Sequence, residues 1–298
     1  GAQLAWLADT VNNAASGAKF YAELTDDIDL GGNPFTPIGK DFHEFSGVFD
    51  GKGYTVSGLN VTDVADAGLF GTAKDATIRN VVVRGNVTGT DNAAGILAKA
   101  KNTACTIENC GNEAVVNVIK SGGGYAGGIL GYAITSTTVT NCYNSSAVTS
   151  KGSTSYSRAS GIVGYLSGNG SVKITTCYNT GKVTSDGYAA GVFGGYGGFS
   201  LTVSNCYNTG SISNTNKSKA GAFTTSTSDT ATNSFYLKDS IPEDANTNGA
   251  TPLTLAEMQS DLLGKLDKAN WTSVRGVNNS LPVLKWQKVS CLLYTSPS

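Results

Sequence analysis

A short phrase of small and aliphatic residues recurs six times between residues 67 and 224 and limits the folds open to this chain. Successive copies begin 27, 33, 33, 30 and 30 residues apart. Such a period is typical of repeat proteins, in which each repeat is one structural unit stacked on the next. The copies are Ala67-Gly-Leu-Phe-Gly71, Ala94-Gly-Ile-Leu-Ala98, Gly127-Gly-Ile-Leu-Gly131, Ser160-Gly-Ile-Val-Gly164, Ala190-Gly-Val-Phe-Gly194 and Ala220-Gly-Ala-Phe-Thr224.

A second phrase lies between successive copies and keeps a constant internal spacing. It begins with Val or Ile, has Val or Cys three residues later, and is followed by another Val or Ile six residues further on. Segments of fixed length keep register with a neighbour, whereas loops facing water can vary in length at little cost. Each repeat is therefore predicted to be one coil of three short strands with one rigid corner. The copies are Ile78-Arg-Asn-Val81, Ile107-Glu-Asn-Cys110, Val139-Thr-Asn-Cys142, Ile174-Thr-Thr-Cys177 and Val203-Ser-Asn-Cys206.

These short strands, separated by Gly and Asn, predict an all-β fold, a right-handed parallel β-helix with short helical caps at both ends. Residues one repeat apart would stack along its axis, so the strict positions predict ladders. Asn suits the rigid corner because it tolerates left-handed backbone angles. The predicted structural ladder comprises Cys110, Cys142, Cys177, Cys206, Asn109, Asn141 and Asn205.

The spacing also decides the chemistry expected of the cysteines. Stacked positions lie about 4.8 Å apart with parallel side chains, whereas a disulfide needs its Cβ atoms about 3.8 Å apart. A straight row of thiolates cannot surround zinc tetrahedrally. We expect the four ladder cysteines to be free, buried and packed as small hydrophobic side chains. Cys105 falls in a variable corner, where we expect it to be exposed.

The Gly-Ile-Leu/Val-Gly phrases, with Thr-Val-Thr-Asn-Cys-Tyr-Asn at residues 138–144, resemble GLUG-repeat proteins of the pectate-lyase-like β-helix class. Residues 45–54 resemble the first coils of that family, and residues 281–286 its closing segment. The resemblance implies a bacterial secreted or cell-surface protein, because such repeats occur beside adhesin modules and in immunoglobulin A peptidases. It implies no catalytic signature, and it implies further modules in a longer multidomain chain.

The two ends of the chain carry different patterns from the repeats. Residues 1–19 are expected to form an N-terminal helix that covers the open edge of the solenoid, and residues 20–237 to form the coils. Residues 238–287 are expected to form a C-terminal capping segment. The apolar residues at helical spacing are Leu4, Leu7, Ala8 and Val11 in the first helix, and Met258, Leu262, Leu263 and Leu266 in the second.

The C-terminal part of the chain carries a helix-start pattern and, after it, a change of sequence pattern. Thr254 and Glu257 form a capping-box pattern at the start of a helix that we expect to close the far end. Residues 288–298 break every earlier pattern and resemble translated adapter sequence. We expect this tail, with Cys291, to be foreign to the native protein.

Composition excludes several classes of partner. The net charge of −1 argues against a nucleic-acid partner, which requires a basic face. No apolar run is long enough to span a bilayer, so we expect no membrane insertion by this segment. The chain lacks an initiator Met and a signal-peptide pattern, and we therefore expect a fragment of a longer extracellular or cell-surface protein.

Carboxylates near the start of the chain are the main candidates for catalysis. Asp27 and Asp29 flank Ile28, a pattern typical of solvent-facing residues on a strand. A calcium site or a glycosidase carboxylate pair is the alternative, although no spacing along the coils supports it. His43, the single histidine, lies in a polar loop without an identifiable partner. We predict no catalytic residue, metal site or cofactor. The acidic residues concerned are Asp26, Asp27, Asp29, Asp41, Glu44 and Asp50.

Tyrosines recur at aligned positions on both sides of the Gly-Ile-Leu phrase. Tyr125 and Tyr188 share the position before it, and Tyr132 and Tyr165 share the position after it. Such rings could form a platform for sugars, which present apolar faces and hydroxyl edges. The alternative is that they only reinforce neighbouring coils. That structural role is the one expected for a third aligned series, Tyr143, Tyr178 and Tyr207.

The sequence thus predicts a non-enzymatic repeat module of a bacterial secreted or surface protein, serving adhesion, glycan binding or spacing. Its expected partner is a glycan or another polymer of the host or cell surface. The alternatives are a polysaccharide lyase or glycosidase built on a β-helix, and a purely structural stalk. Clustered charges in a groove would favour the enzyme, whereas a face of Tyr and Asn would favour the binding module.

Overall fold

The computed structural model describes residues 1–168, 170–195, 200–215, 219–226 and 229–288. Parallel strands wind into a right-handed β-solenoid of about seven turns, which confirms the predicted fold class. Two short α-helices lie near its two ends. They are α1, Ala2–Asn13, and α2, Leu255–Lys265.

Each turn is one coil, whose strands pair in parallel with those of the next coil. Coils 1 to 7 are residues 20–38, 45–67, 70–94, 97–127, 130–160, 163–190 and 193–221, followed by a partial coil at 223–253. The strands of coils 1 to 4 are Phe20–Glu23, Ile28–Asp29, Phe45–Ala67, Phe70–Ala94, Leu97–Ala100, Cys105–Glu108, Gly111–Asn112, Val115–Ile119 and Tyr125–Gly127. Those of coils 5 and 6 are Leu130–Ala133, Thr137–Thr140, Tyr143–Asn144, Val148–Lys151, Arg158–Ser160, Val163–Leu166, Ser171–Thr175, Tyr178–Asn179, Val183–Ser185 and Tyr188–Ala190. The later strands are Ser200–Ser204, Tyr207–Asn208, Ile212–Asn214, Ala220–Gly221, Ala231–Thr232, Phe235–Leu237, Thr251–Leu253, Trp271–Thr272 and Val283–Leu284, with 3-10 turns at Lys238–Ser240 and Asn278–Ser280.

Alternate residues of each strand point inward and stack along the axis. Val139, for example, pairs with Ile107 in one neighbouring coil and Ile174 in the other, and all three are 0% exposed. Because each coil leaves an apolar edge for the next, the core is continuous along the solenoid.

One detail of the repeat register differs from the sequence alignment. Ala220 pairs with Ala189 rather than with Ala190, so the sixth copy of the Gly phrase is displaced by one residue. Ala and Gly are both small enough for these inward positions, and residue identity therefore could not fix the register there.

The four ladder cysteines lie inside the solenoid at 0% exposure, and all are free thiols. The Cys142 thiol donates to the Thr140 carbonyl oxygen at 3.1 Å, and the Cys177 amide donates to Cys206 Sγ at 3.4 Å. These contacts place the sulfurs in one interior row, where they pack as buried side chains.

Cys105 is not exposed, which corrects the expectation for that residue. It is 2% exposed and pairs with Ala76 and Thr137 at the first position of strand Cys105–Glu108. The variable corner ends before this residue, so the thiol points inward. Burial raises its pKa to about 11. Cys291 lies outside the described residues.

The rigid corner carries a row of residues with left-handed backbone angles. Asn109, Asn141 and Asn205 have φ of 51°, 52° and 58°, and Thr176, which replaces Asn in one copy, has φ of 56°. The Asn109 side-chain amide donates to Asn80 Oδ1 at 2.9 Å. Asn is favoured at this corner because it adopts such angles at lower cost than most residues.

A second asparagine ladder, which the sequence reasoning missed, runs through the interior. Its members follow the second phrase by two residues and are 0% exposed. Each side-chain amide donates to the side-chain oxygen of the next member, at 2.7, 2.7 and 2.8 Å. Each also bonds a backbone carbonyl two residues onward, so these buried amides are satisfied. The members are Asn112, Asn144, Asn179 and Asn208.

The glycine of the Gly-Ile-Leu phrase makes room for this interior ladder. A Cβ on Gly128 would lie 2.6 Å from Asn144 Cγ, and a Cβ on Gly161 would lie 2.3 Å from Asn179 Cγ. In each of these coils, the glycine of the first phrase therefore lies in close contact with the asparagine that follows the second phrase.

Helix α1 covers the first coil as expected, with its predicted apolar residues buried. Asn12 attaches the helix to the end of coil 1 by two hydrogen bonds. The Asn12 side-chain amide donates to the Pro37 carbonyl oxygen at 3.0 Å, and the Asn12 side-chain oxygen accepts from the Gly39 amide at 2.9 Å. Trp6 is 67% exposed. Neither helix in the described part of the chain is long and apolar enough to cross a membrane.

The C-terminal segment does more than close the far end. Strand Thr251–Leu253 pairs with Phe235–Leu237, so the winding continues beyond the expected boundary at residue 237. Helix α2 begins with the predicted capping box, in which the Glu257 amide donates to Thr254 Oγ1 at 3.3 Å and the Thr254 amide donates to Glu257 Oε2 at 2.7 Å.

Residues 255–287, which we call the C-terminal clamp, then return along one flank and cover the third tyrosine series. Trp271 lies 5.4 Å from the Tyr207 ring, and the Trp286 indole N–H donates to the Asn141 carbonyl oxygen at 2.8 Å. Of the predicted tail, only Lys288 is described, with its Nζ 4.5 Å from the Tyr54 ring centroid.

Candidate ligand-binding face

Four tyrosines singled out by the repeat pattern lie on one corner of the solenoid. Tyr132 pairs in register with Tyr165. Arg158 pairs with Tyr125 on one side and Tyr188 on the other. All five side chains are partly exposed. We call this surface, made of Tyr125, Tyr132, Arg158, Tyr165 and Tyr188, the tyrosine face.

Three rings of the tyrosine face, those of Tyr125, Tyr132 and Tyr165, are in mutual contact across coils 4 to 6. The Tyr125 ring centroid lies 5.0 Å from Tyr132 and 4.5 Å from Tyr165, and Tyr132 lies 5.9 Å from Tyr165 with the rings nearly parallel at 8°. Two columns of rings thus meet at the turn between their strands. Burial, with a smaller effect of the Tyr165 and Tyr132 hydroxyls, raises the pKa of Tyr125.

Arg158 joins Tyr188 to this group, and the sequence reasoning overlooked it. Its guanidinium carbon lies 4.5 Å from the Tyr165 ring centroid and 4.1 Å from that of Tyr188. Lys219 Nζ lies 4.8 Å from the Tyr188 centroid. Its place in the repeat could have identified it, because Arg158 occupies the position that Tyr125 and Tyr188 occupy in neighbouring coils.

A cavity of about 410 Å³ opens beside Tyr125 and Tyr132 at the N-terminal end of this face. Tyr156, which is 65% exposed, forms part of its wall together with residues 122–124. The rest of its wall is mainly polar and charged, and it includes Asp41, Asp66, Asp91, Asn92, Lys99 and Lys120. The recess thus combines aromatic rings with polar groups, as a site for a polar ligand requires. The larger cavity of about 620 Å³ between α1 and coil 1 has no aligned aromatic series.

Ion pairs occupy the same end of the tyrosine face. Lys99 Nζ lies 3.1 Å from Asp41 Oδ2, and Lys101 Nζ lies 2.9 Å from Glu44 Oε1. Lys74 Nζ lies 3.1 Å from the other Glu44 oxygen. Each of these charges has an opposite partner, so this end of the face is neutralised.

Glu44 is the most strongly perturbed carboxylate of the group. Burial alone would raise its pKa, but hydrogen bonds from Lys101, a backbone amide and Lys74 together lower the pKa to about 2. The folded state therefore favours the charged form of this side chain.

Glu44→Gln should lower the free energy of unfolding by about 2–3 kcal/mol at pH 7. The depressed pKa means that the contribution is complete above about pH 5 and is lost as the pH falls towards 2. Denaturant titrations of wild type and variant should therefore converge near pH 2. The exposed control Glu243→Gln should differ little from wild type at any pH, and a constant Glu44→Gln deficit down to pH 2 would refute this assignment.

The carboxylates of coils 1 and 2 serve local structure. Asp27 Oδ1 accepts from the Thr55 amide at 2.7 Å, and Asp29 Oδ1 accepts from the Gly31 amide at 2.8 Å. Asp50 accepts from a backbone amide and from two side chains of the next coil. These contacts support strand and turn geometry.

His43 is also tied to the backbone. Its Nδ1 lies 2.8 Å from the Ala14 carbonyl oxygen, which joins its loop to the end of α1. Within the described residues, His, Cys, Asp and Glu side chains form no group of three or more that could hold a metal ion.

The third tyrosine series is buried, unlike the tyrosine face. Tyr143 and Tyr178 stack at 5.3 Å, and Tyr178 and Tyr207 at 5.0 Å. The Tyr143 hydroxyl donates to Glu113 Oε1 at 2.6 Å, and burial is the main cause that raises the pKa of all three phenols. These rings are covered by the C-terminal clamp and reinforce the coils.

A comparison with protein-family models found no match to this chain, and a comparison with curated proteins also found none. Among solved structures, the chain is similar to a Bacteroides ovatus protein named "putative immunoglobulin A1 protease". The TM-score is 0.72 at 20% sequence identity, and the alignment covers 93% of this chain and 89% of the other. At this identity the likeness shows the β-solenoid fold alone, and GLUG-repeat membership stays a resemblance.

Proposed function

We propose that this chain is a non-enzymatic glycan-binding module of a bacterial secreted or cell-surface protein, and that the tyrosine face is its binding surface. The observation that carries the proposal is a run of partly exposed rings over three coils, in which Tyr125, Tyr132 and Tyr165 contact one another and Arg158 links Tyr165 to Tyr188. Sugar rings have apolar faces that pack on aromatic rings and hydroxyl edges that bond neighbouring polar groups. The extracellular location belongs to the same proposal.

Contrast with the third tyrosine series supports this use of the face. Both series stack along the axis, yet the clamp covers Tyr143, Tyr178 and Tyr207, whereas the tyrosine face stays open. If the tyrosines only reinforced neighbouring coils, stacking of the rings would be enough. The adjoining cavity and the exposed Tyr156 would then have no role.

The proposal predicts a measurable loss of binding when two central rings are removed. The Tyr132→Ala/Tyr165→Ala variant should bind its best glycan about 10- to 100-fold more weakly, since each aromatic contact contributes about 0.5–1.5 kcal/mol. The measurement is isothermal titration calorimetry after screening a panel of bacterial, plant and host glycans. Longer chains should bind more tightly than short ones because several coils contribute.

The matched control is Tyr21→Ala, which removes a tyrosine that is 77% exposed on coil 1, away from the tyrosine face. This variant should bind as wild type does. If no glycan binds wild type and the double variant is only less stable, the tyrosines reinforce coils and the module is a spacer.

A second candidate is hydrolytic activity, favoured by the name of the Bacteroides ovatus protein. Against it, the single histidine is held by a backbone carbonyl, and Asp27, Asp29 and Asp50 are engaged in local hydrogen bonds. Turnover of a polysaccharide or of immunoglobulin A that is abolished by changing one of these carboxylates would overturn the non-enzymatic proposal.

A further inference from the structure

Charge is unevenly distributed along the tyrosine face. At its N-terminal end Lys99, Lys101 and Lys120 each pair with a carboxylate. At its C-terminal end, over coils 5 to 7, Arg158 and Lys219 form no ion pair with any described carboxylate. Among the described residues, the cations of the face are thus paired with carboxylates at its N-terminal end and packed on tyrosine rings at its C-terminal end.

Arg158 is held in place, and most of its donors have no acceptor among the residues that the structure describes. Its aliphatic and planar parts are fixed between Tyr165 and Tyr188, and one N–H contacts the Gly194 carbonyl oxygen at 3.4 Å. A guanidinium has five N–H donors, and two parallel ones fit a carboxylate or sulfate group. Its orientation is thus set before a ligand arrives, which reduces the entropy cost of binding.

Lys219 occupies the next matching position along the column. It follows Tyr188 on coil 7, because Ala220 pairs with Ala189, and its Nζ donates to the Thr154 carbonyl oxygen at 2.9 Å. Two acidic residues lie on this side: Asp186 accepts from the Gly152 amide at 2.9 Å, and Asp229 accepts from Thr224 Oγ1 at 3.1 Å. The backbones of Arg158 and Lys219 are two coils apart, roughly 10 Å at about 4.8 Å per coil. Their charged groups lie closer together, because both contact the Tyr188 ring, at 4.1 and 4.8 Å from its centroid.

We infer that the glycan bound by the tyrosine face is acidic, with carboxylate or sulfate groups that contact Arg158 and Lys219 while its sugar rings pack on the tyrosines. This inference rests on the proposed glycan-binding function.

The test compares one polymer in two charge states. Hyaluronan carries one carboxylate per disaccharide, and carboxyl reduction converts it into a neutral polymer of the same backbone. Wild type should bind hyaluronan at least about tenfold more tightly than the reduced polymer. The Arg158→Gln/Lys219→Gln variant should lose that preference and bind the two polymers equally.

The matched control is Lys173→Gln/Lys182→Gln, which removes two exposed lysines elsewhere on coil 6. It should retain the preference for the acidic polymer. If the Arg158 variant is poorly folded, a salt titration of wild type replaces it: binding of hyaluronan should weaken with salt more steeply than binding of the reduced polymer.

The outcomes separate the two proposals. Equal binding of both polymers, or a preference that survives in the Arg158→Gln/Lys219→Gln variant, overturns the acidic-glycan inference and leaves the glycan-binding function standing. Absence of binding to both polymers and to the whole glycan panel overturns the function and the inference together. Binding of polyglutamate as tightly as hyaluronan would show a response to charge alone and would also overturn the inference.

Discussion

Replacing Asn179 with Ala should lower the free energy of unfolding by about 3–5 kcal/mol, a large effect for a single polar side chain. Asn179 accepts from Asn144 at 2.7 Å and donates to Asn208 at 2.8 Å. It also bonds the backbone N–H and C=O of Gly181. The substitution leaves these buried groups unpaired, and an unpaired buried group costs about 1–3 kcal/mol.

The measurement is equilibrium unfolding in guanidinium chloride followed by circular dichroism. Asn117→Ala is the matched control, because Asn117 faces outward on strand Val115–Ile119. It should change stability by less than about 0.5 kcal/mol. An Asn179→Ala cost below about 1 kcal/mol would mean that the interior ladder is not a major source of stability.

The same ladder predicts the effect of adding a single methyl group. In Gly161→Ala the new Cβ would lie 2.3 Å from Asn179 Cγ and 2.3 Å from the Gly191 carbonyl oxygen. Backbone and a fixed side chain must both move, so this variant should be as unstable as Asn179→Ala. Combining the two changes should cost less than their sum, because Ala at residue 179 relieves one of the clashes.

Trp271→Ala should destabilise the protein by about 3–5 kcal/mol through loss of the clamp contact. The indole is 2% exposed and lies 5.9 Å from the Tyr178 ring and 5.4 Å from the Tyr207 ring. Its removal would leave a cavity over the third tyrosine series and release the centre of the clamp.

Trp271→Phe is the control for this prediction. The Trp271 Nε1 is buried and has no hydrogen-bond partner in the described part of the chain, so the phenyl ring forfeits no hydrogen bond seen there and keeps much of the packing. Its expected cost is below about 1.5 kcal/mol. Thermal unfolding of both variants decides the matter: equal losses for Ala and Phe, or none for Ala, would show that the clamp does not depend on this ring.

The solenoid could be predicted from sequence because a strict spacing must reflect strands in register. Val139, Ile107 and Ile174 stack as that spacing required, and the corner asparagines adopt left-handed angles. The interior ladder was missed although Asn144 follows Cys142 by two residues. A polar residue in a repeated phrase fits the surface as well as the interior, and only the structure shows the glycine space that admits it.

The candidate site was predictable in part. Repeat alignment placed Tyr132 beside Tyr165, but it could not show that Tyr125 meets both rings across a turn. Arg158 could not be found from recurring tyrosines, because the repeat position of Tyr125 and Tyr188 holds an arginine in the coil between them. The path of the C-terminal clamp depends on long-range packing between residues far apart in sequence, such as Trp286 and Asn141, which local patterns do not encode.

The most direct test of the proposed function is a ¹⁹F NMR titration of protein labelled with 3-fluorotyrosine, assigned through single Tyr→Phe variants. On adding the best glycan, the resonances of Tyr125, Tyr132, Tyr165 and Tyr188 should shift. Those of Tyr143, Tyr178 and Tyr207, which the clamp covers, should stay unchanged and serve as an internal control. Saturable glycan binding with no shift on the tyrosine face, or no response to any glycan, would contradict the account.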